Sequence, residues 1–442
     1  MHVLLPLRIA LGLVALASTP ALAAEAVTYE GTLGKSPIVV ELSGPLTPVS
    51  KLVGRYFYET KGIDIPLQLV KVSAGKAELV EEKPCTTAIC HTTDDGNPAG
   101  PAPLGGKWHL ETGADANSLT GSWSNGGKSL PIALLKAGAR ALPDDFDGTT
   151  TALEAIVEDK LVEDGAAIDD SVSPYDYLKV ADAASPVGAP TTLPGGSFQY
   201  AVDPRTKFAF PRITDLGGAD TKPANRYLAE RQMGMSLDAL NCQAQIYQGF
   251  GWMEGIADAV GTLGQWDAEQ VEVTYLSPTV MSWNESGSLY CGGAHPDNHD
   301  EAHNLDVRTG RPLDLSRILK DWVPTPIDDS MPKDLASARA NPDQYIWHAS
   351  PALQQFVIAH LPKAERSTDA DATDGDCPPQ GSFVADNLDL TFVAGDKVRF
   401  KIDGLPNVSE ACGGDLFDLP IGQLKQFLTP EAADYFPSLK SK

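Results

Sequence analysis

Positive charge is scarce in this chain. Over 442 residues, 34 Lys plus Arg stand against 59 Asp plus Glu, a net charge of −25. Nucleic-acid binders need a basic surface to hold phosphates, so that class is excluded. An acidic surface suits a cationic partner, or simply keeps a protein soluble. Long apolar runs are missing beyond the first two dozen residues, so no membrane span is expected. There is no C-x-x-C pair, which argues against a thiolate metal site. No G-x-S-x-G nucleophile elbow occurs. The run N-G-G-K-S at Asn125 to Ser129 fails as a phosphate loop, because Ser122 stands where that motif needs glycine.

What is present begins with a secretory signal. Arg8 precedes an apolar run from Ile9 to Ala17, followed by Pro20 and the small-residue sequence P-A-L-A-A ending at Ala24. The mature chain is expected to start near Ala24 or Glu25, in the periplasm or outside the cell. No cysteine follows at once, so no lipid anchor is expected. The six cysteines are an even number in an oxidising compartment, which predicts three disulfides. Sequence separation favours the local pairs Cys85 with Cys90, Cys242 with Cys291, and Cys377 with Cys412.

The pattern of elements predicts an α+β chain: an N-terminal all-β barrel or sandwich over 25–141, an acidic linker over 142–195, an α+β module over 196–430, and a tail over 431–442. In the first domain, short β-branched and aromatic segments alternate with Gly, Pro and Asp. The segments L-V-G-R-Y-F-Y from Leu52 and L-T-G-S-W-S from Leu119 share a glycine followed by an aromatic, as in a tightly bent strand facing a core. The linker carries a possible helix from Ala152 to Val162. Further on, the spacing predicts helices over Asn225 to Gln248, Gln344 to Leu361 and Ile421 to Phe427. Strands are expected at Glu269 to Ser277, Thr279 to Asn284 and Asn304 to Val307, and a hairpin at Leu388 to Phe392 with Lys397 to Ile402.

The segment Y-C-G-G-A-H-P, followed by N-L-D-V-R-T-G-R-P-L-D-L, resembles the RsiV-like domain, the extracellular region of a lysozyme-sensing anti-sigma factor. The features that carry the resemblance are Gly292, Gly293, Ala294 and His295, then Asp306, Thr309 and Gly310, then Asp314 to Leu319. Over roughly residues 196–430, the resemblance implies a small α+β module that binds a protein or a wall component and performs no chemistry. The known ligand in that family, lysozyme, is a basic enzyme that suits an acidic binder. Other members are fused to peptidoglycan deacetylases, whose T-F-D-D metal motif is absent here.

Chemistry in the sequence centres on H-P-D-N-H-D-E-A-H, where His295, His299 and His303 recur beside Asp297, Asp300 and Glu301. These groups are a candidate metal set, but Asp300 occupies the position where the helical zinc motif H-E-x-x-H needs Glu. The run is expected to be a polar hairpin loop. Trp283 and Tyr290 are expected to be exposed at a hairpin tip. With Gly292, Gly293, Ala294 and His295 they form the expected partner-binding set. The reading is thus a secreted, non-enzymatic binding protein without a cofactor, its partner a lysozyme, another basic wall hydrolase or peptidoglycan. The alternative is a wall hydrolase or metal-dependent enzyme built on the His-rich run.

Overall fold

A computed structural model describes residues 25–44, 46–47, 52–93, 96–142, 168–252, 266–291, 297–328, 330–371 and 377–440. The signal segment and the possible helix at Ala152 to Val162 lie outside the described residues.

Eight strands, β1 (Glu25–Leu33), β2 (Ser36–Leu42), β3 (Gly54–Tyr58), β4 (Ile65–Ser73), β5 (Lys76–Glu82), β6 (Leu104–Thr112), β7 (Ser118–Asn125) and β8 (Lys128–Ala141), form an antiparallel barrel. Pairing of β1 with β8 closes it. Of the two architectures expected for this half, the barrel is the one formed. Alternate side chains point inward, and Val40, Leu42, Leu67, Leu79, Trp108, Leu110 and Ile132 fill the interior. At one end the Glu81 carboxylate accepts from Tyr56 Oη (2.7 Å), Trp123 Nε1 (3.0 Å), Trp108 Nε1 (3.3 Å) and the Gly106 amide (2.9 Å). The glycines of the two similar segments permit close strand approach: a Cβ on Gly54 would lie 2.7 Å from Glu41 O, and one on Gly121 only 1.9 Å from His109 O. N-G-G-K is the β7–β8 turn, with Asn125 opposite Lys128 and both central glycines at positive φ.

The outer face of β3 is buried as well, because a helix covers it. This helix, α1 (Pro174–Val180), lies in the segment expected to be a linker. Its Tyr175 is fully buried and packs edge-on against Phe57, ring centroids 5.1 Å apart. Beneath it runs a buried ionic network. Arg55 donates to Glu41 (2.8 Å), Asp64 (3.2 Å) and Asp176 (3.1 Å), Arg140 reaches Glu41 (2.8 Å), and Lys179 reaches Asp64 (2.8 Å). The linker reading fails because P-Y-D-Y-L-K-V carries both an apolar face and charges complementary to the barrel wall.

The rest of the chain is mixed but sheet-rich, and less evenly α+β than expected. Strands β9 (Ser185–Leu193), β10 (Gly196–Val202) and β11 (Ala209–Asp215) form one sheet in the order β11-β10-β9. The long helix α2 (Lys222–Ala244) follows. A second sheet takes the order β12 (Trp266–Leu276), β13 (Val280–Leu289), β14 (Asp297–Asp306), β15 (Arg311–Pro312). Its Met281, Trp283, Leu305 and Val307 pack in one core with Leu228 of α2, while Val280 belongs to a second core with the sheet β18 (Leu388–Val393), β19 (Lys397–Ile402), β20 (Gly414–Pro420). A two-stranded ribbon, β16 (Trp322–Pro326) with β17 (Tyr345–Ala349), and the helices α3 (Leu335–Ala340) and α4 (Pro351–His360) complete the module.

Several expected boundaries change: the long helix runs Lys222–Ala244, and the strand expected at Thr279 to Asn284 runs Val280–Leu289. The Gln344 to Leu361 segment divides into β17 and α4, because Ser350 caps a helix that starts at Pro351. Ile421 to Leu424 is a short 3₁₀ turn. The strand expected from Asn304 starts instead at Asp297. The three disulfides pair as expected, with Cα separations of 5.5, 5.3 and 5.5 Å. They fit an oxidising, extracellular compartment, and no described helix is long and apolar enough to cross a membrane.

Removing one partner of a buried network strands the others, so Arg55→Met is expected to destabilise the protein by about 3–5 kcal/mol in denaturant unfolding. Burial pushes the Asp176 carboxyl up, but Arg55, Lys179 and Arg140 pull it further down, to about 2. A lowered acid contributes stability above its unfolded pKa of about 4 and loses it as pH falls towards 2. Unfolding midpoints measured between these pH values should fall steeply, and Asp176→Asn should flatten that slope.

Candidate functional site

The alternation of a β-strand puts Glu285 of β13 and His299, Glu301 and His303 of β14 on one sheet face, the face that packs on α2. Register places Glu285 opposite Glu301, Trp283 opposite His303 and Gly287 opposite His299. From α2, Arg231 reaches across and grips the buried Glu285 with two bonds, Nε to Oε1 at 2.5 Å and Nη2 to Oε2 at 2.7 Å. The same Nη2 lies 3.0 Å from His303 Nε2 and 3.7 Å from Glu301 Oε2. His303 sits 3.4 Å from Glu301 and stacks on the Trp283 ring at 5.3 Å. Trp283 Nε1 donates to Glu285 at 2.6 Å. A separate pair joins His299 to Glu269 at 3.0 Å.

The electrostatics follow from these contacts. Hydrogen bonding to His303 outweighs burial and, with Arg231, holds the Glu301 carboxyl down at about 2. Burial pushes Glu269 up, against the pull of His299. Burial opposes the charge of Arg231, but its bond to Glu285 keeps the guanidinium firmly protonated.

Several sequence expectations change here. Trp283 is 1% exposed in the middle of β13, because W-N-E-S-G-S-L is strand and not a hairpin tip. Tyr290 is half-buried at the end of β13, its carbonyl beside Cys242 Sγ. His299 and His303 lie on β14, where the alternation H-D-E-A-H keeps both on one face, and so do not belong to a loop. Gly292, Gly293, Ala294 and His295 lie outside the described residues.

As a metal set, the two described histidines part: His299 pairs with Glu269, and among the described residues His303 joins a group of three donors, with Glu285 and Glu301, whose ligand atoms lie within 4.8 Å of one another. The guanidinium of Arg231 already supplies the positive charge those carboxylates require, so a divalent ion would have to displace it. Sequence reasoning missed Arg231 and Glu285. The signal was available: Tyr227, Leu228 and Met235 mark the apolar face of α2, and Arg231 interrupts it, which requires a carboxylate opposite.

Beside this cluster lies a groove along β14. β15 pairs only with Leu305 and Asp306, so residues 297–304 form a sheet edge. That edge is capped where Asp403 accepts from the Ala302 amide at 3.0 Å and Asn304 O accepts from the Leu313 amide at 2.8 Å. The groove, about 460 Å³, is lined by Glu301, His303, Asp386, Asp389 and Asp403, with Trp322 and Trp347 on its apolar wall.

If Arg231 holds the place of a metal ion, zinc should leave the melting temperature of the wild type unchanged. Arg231→Met should gain a zinc-dependent rise of several degrees that Arg231→Met with His303→Ala lacks, and an equal rise in the wild type would contradict this reading. The chain matches no model of a known protein family, and a search of curated proteins finds none that matches it.

Proposed function

We propose that this is a secreted, non-enzymatic binding protein whose partner is a lysozyme or another basic wall hydrolase. The observation that carries the reading is the groove beside β14, lined by Glu301, Asp386, Asp389 and Asp403. Although Glu301 is paired with Arg231 and His303, and Asp403 lies 3.8 Å from Lys401, Asp386 and Asp389 have no ion-pair partner among the described residues, and no described lysine or arginine lines the groove. Such a groove accepts a lysine or arginine side chain, the charged head against the carboxylates and the stem along Trp322 and Trp347. The net charge of −25 adds long-range attraction for a basic partner.

The binding has a predicted pH dependence. Burial pushes Asp389 up to about 6, with Asp403 adding to the rise and Lys401 opposing it. Asp389 therefore takes its charge only above that pH, and affinity for a basic partner should rise as pH is raised from 5 to 7. Calorimetry with hen-type lysozyme near 0.15 M salt, and again at several-fold higher salt, measures this, because nonspecific attraction is screened away while a seated contact persists. The expected result is saturable one-to-one binding that survives salt, weakens about tenfold in Asp386→Asn, and loses its pH dependence in Asp389→Asn. Binding that vanishes with salt, or that neither substitution alters, sinks the proposal.

One observation favours a second reading, hydrolysis of wall glycan. Glu301, held at about 2, and Asp389, raised to about 6, line the same groove with their pKa values driven apart, as in an acid and base pair. Clearing of a wall suspension by the purified protein, lost in Asp389→Asn, would replace the binding reading. Cosedimentation with insoluble wall in the absence of clearing would point to peptidoglycan itself as the partner.

A further inference from the structure

The groove continues into a second, larger cavity of opposite character. Leu315, Trp322 and Trp347 line both, and beyond them lies a space of about 840 Å³ into which Arg308, Arg311, Arg317 and Arg339 all face. Four of the 13 arginines of the chain thus line one cavity, against three lining aspartates, Asp306, Asp314 and Asp343, in a protein with a large acidic excess. A cavity of this size takes a small organic ligand.

The internal pairing leaves guanidinium N–H groups over. Asp314 serves two arginines, with its Oδ2 3.3 Å from Arg317 Nε and 3.0 Å from Arg339 Nε. Arg317 spends Nη1 on Glu431 at 3.0 Å, and Arg339 shares its Nε with Ser316 Oγ. Arg308 is held by Asp306 at 2.8 Å and lies over the Tyr435 ring at 4.4 Å. The side chain of the exposed Arg311 has no ion-pair or hydrogen-bond partner among the described residues. A guanidinium offers five donors in a planar fork, and most of the forks of Arg311 and Arg339 remain unused.

The turn that delivers two of these arginines is fixed. Arg308-Thr309-Gly310-Arg311 reverses the chain between β14 and β15, with Asp306 opposite Arg311. Gly310 has φ 64°, and a Cβ there would lie 2.2 Å from Pro223 O at the start of α2, so the turn is seated directly on that helix. The forks therefore sit on a rigid frame with an aromatic wall beside them.

We infer that this cavity binds an organic oxyanion, a carboxylate or phosphate monoester carried on a ring, with Arg311 and Arg339 taking the oxyanion and Trp347 the ring. This site shares Trp347 with the partner-binding groove but takes its charge from Arg311 and Arg339, and that groove from Asp386 and Asp389, so substitutions in either charged set can fail alone. The test is calorimetry on the full mature protein with glucose 6-phosphate, glucuronic acid and glucose, three probes that share a ring and differ in charge. At about 0.15 M salt the first, the second or both should bind, glucose should not, and which one binds identifies the oxyanion. Arg311→Ala should weaken that binding about tenfold and Arg311→Lys less, because lysine keeps the charge and loses the fork. Arg339→Lys, with its melting curve as a folding control, should weaken it similarly. Charged probes that bind no better than glucose, or binding that Arg311→Ala and Arg339→Lys leave unchanged, would overturn the inference.

Discussion

The fold depends most on one buried cation. Arg55 projects outward from β3, where water would ordinarily receive it, and α1 lies across it. Its three carboxylate partners come from β2, from the β3–β4 connection and from α1, so the guanidinium ties barrel strands to the helix that follows the barrel. Lys179 extends the tie, reaching Asp64 on the barrel side and Asn241 of α2 at 3.3 Å. Each charge is costly to bury alone and tolerable only in company, which makes the arrangement specific: a misdocked helix would leave several ions unpaired. The barrel and the sheet-rich half are joined through α1 by charge as well as by apolar packing.

The barrel was largely legible in the sequence because each strand alternates and each turn carries Gly, Pro, Asn or Asp. The disulfide pairs were legible from short separations. What escaped were elements whose stability comes from distant partners. P-Y-D-Y-L-K-V looks like part of an acidic connector until Arg55 and Tyr175 are seen to meet, since the complementary charges lie more than a hundred positions apart. β14 escaped for a related reason: N-H-D-E-A-H-N is polar at every position but one, so the run gives no apolar alternation, and its strand character comes from pairing with β13 and from ionic partners on α2. The same pairing buries Trp283, which sequence alone placed at an exposed tip.

For the candidate site, the sequence singled out the His-rich run but read it as a polar hairpin loop, where the structure forms β14. The histidines at four-residue spacing were a candidate metal set that the sequence disfavoured; the fold pairs His299 with Glu269 and draws His303 into a cluster held by Arg231. The contrast with the neighbouring cavities is one of saturation. Around Arg231, charge meets charge closely and little capacity is left; around Arg311 and Asp386, it is left over on opposite sides of the two tryptophans. Recognition belongs where polar capacity is unspent, and both such places adjoin the ribbon β16–β17.

The capped edge of β14 has a consequence for behaviour in concentrated solution. An exposed sheet edge is a template on which another extended chain can pair, the first step towards strand exchange and fibrous aggregation. Here the barrel has no edge at all, and on β14 the carboxylate of Asp403 takes the Ala302 amide while the chain entering β15 takes the Asn304 carbonyl. A charged acceptor on an edge amide also repels the carbonyl of any incoming strand. This sheet edge is therefore guarded against such pairing, and a single aspartate, distant in sequence from the strand it guards, provides much of that protection.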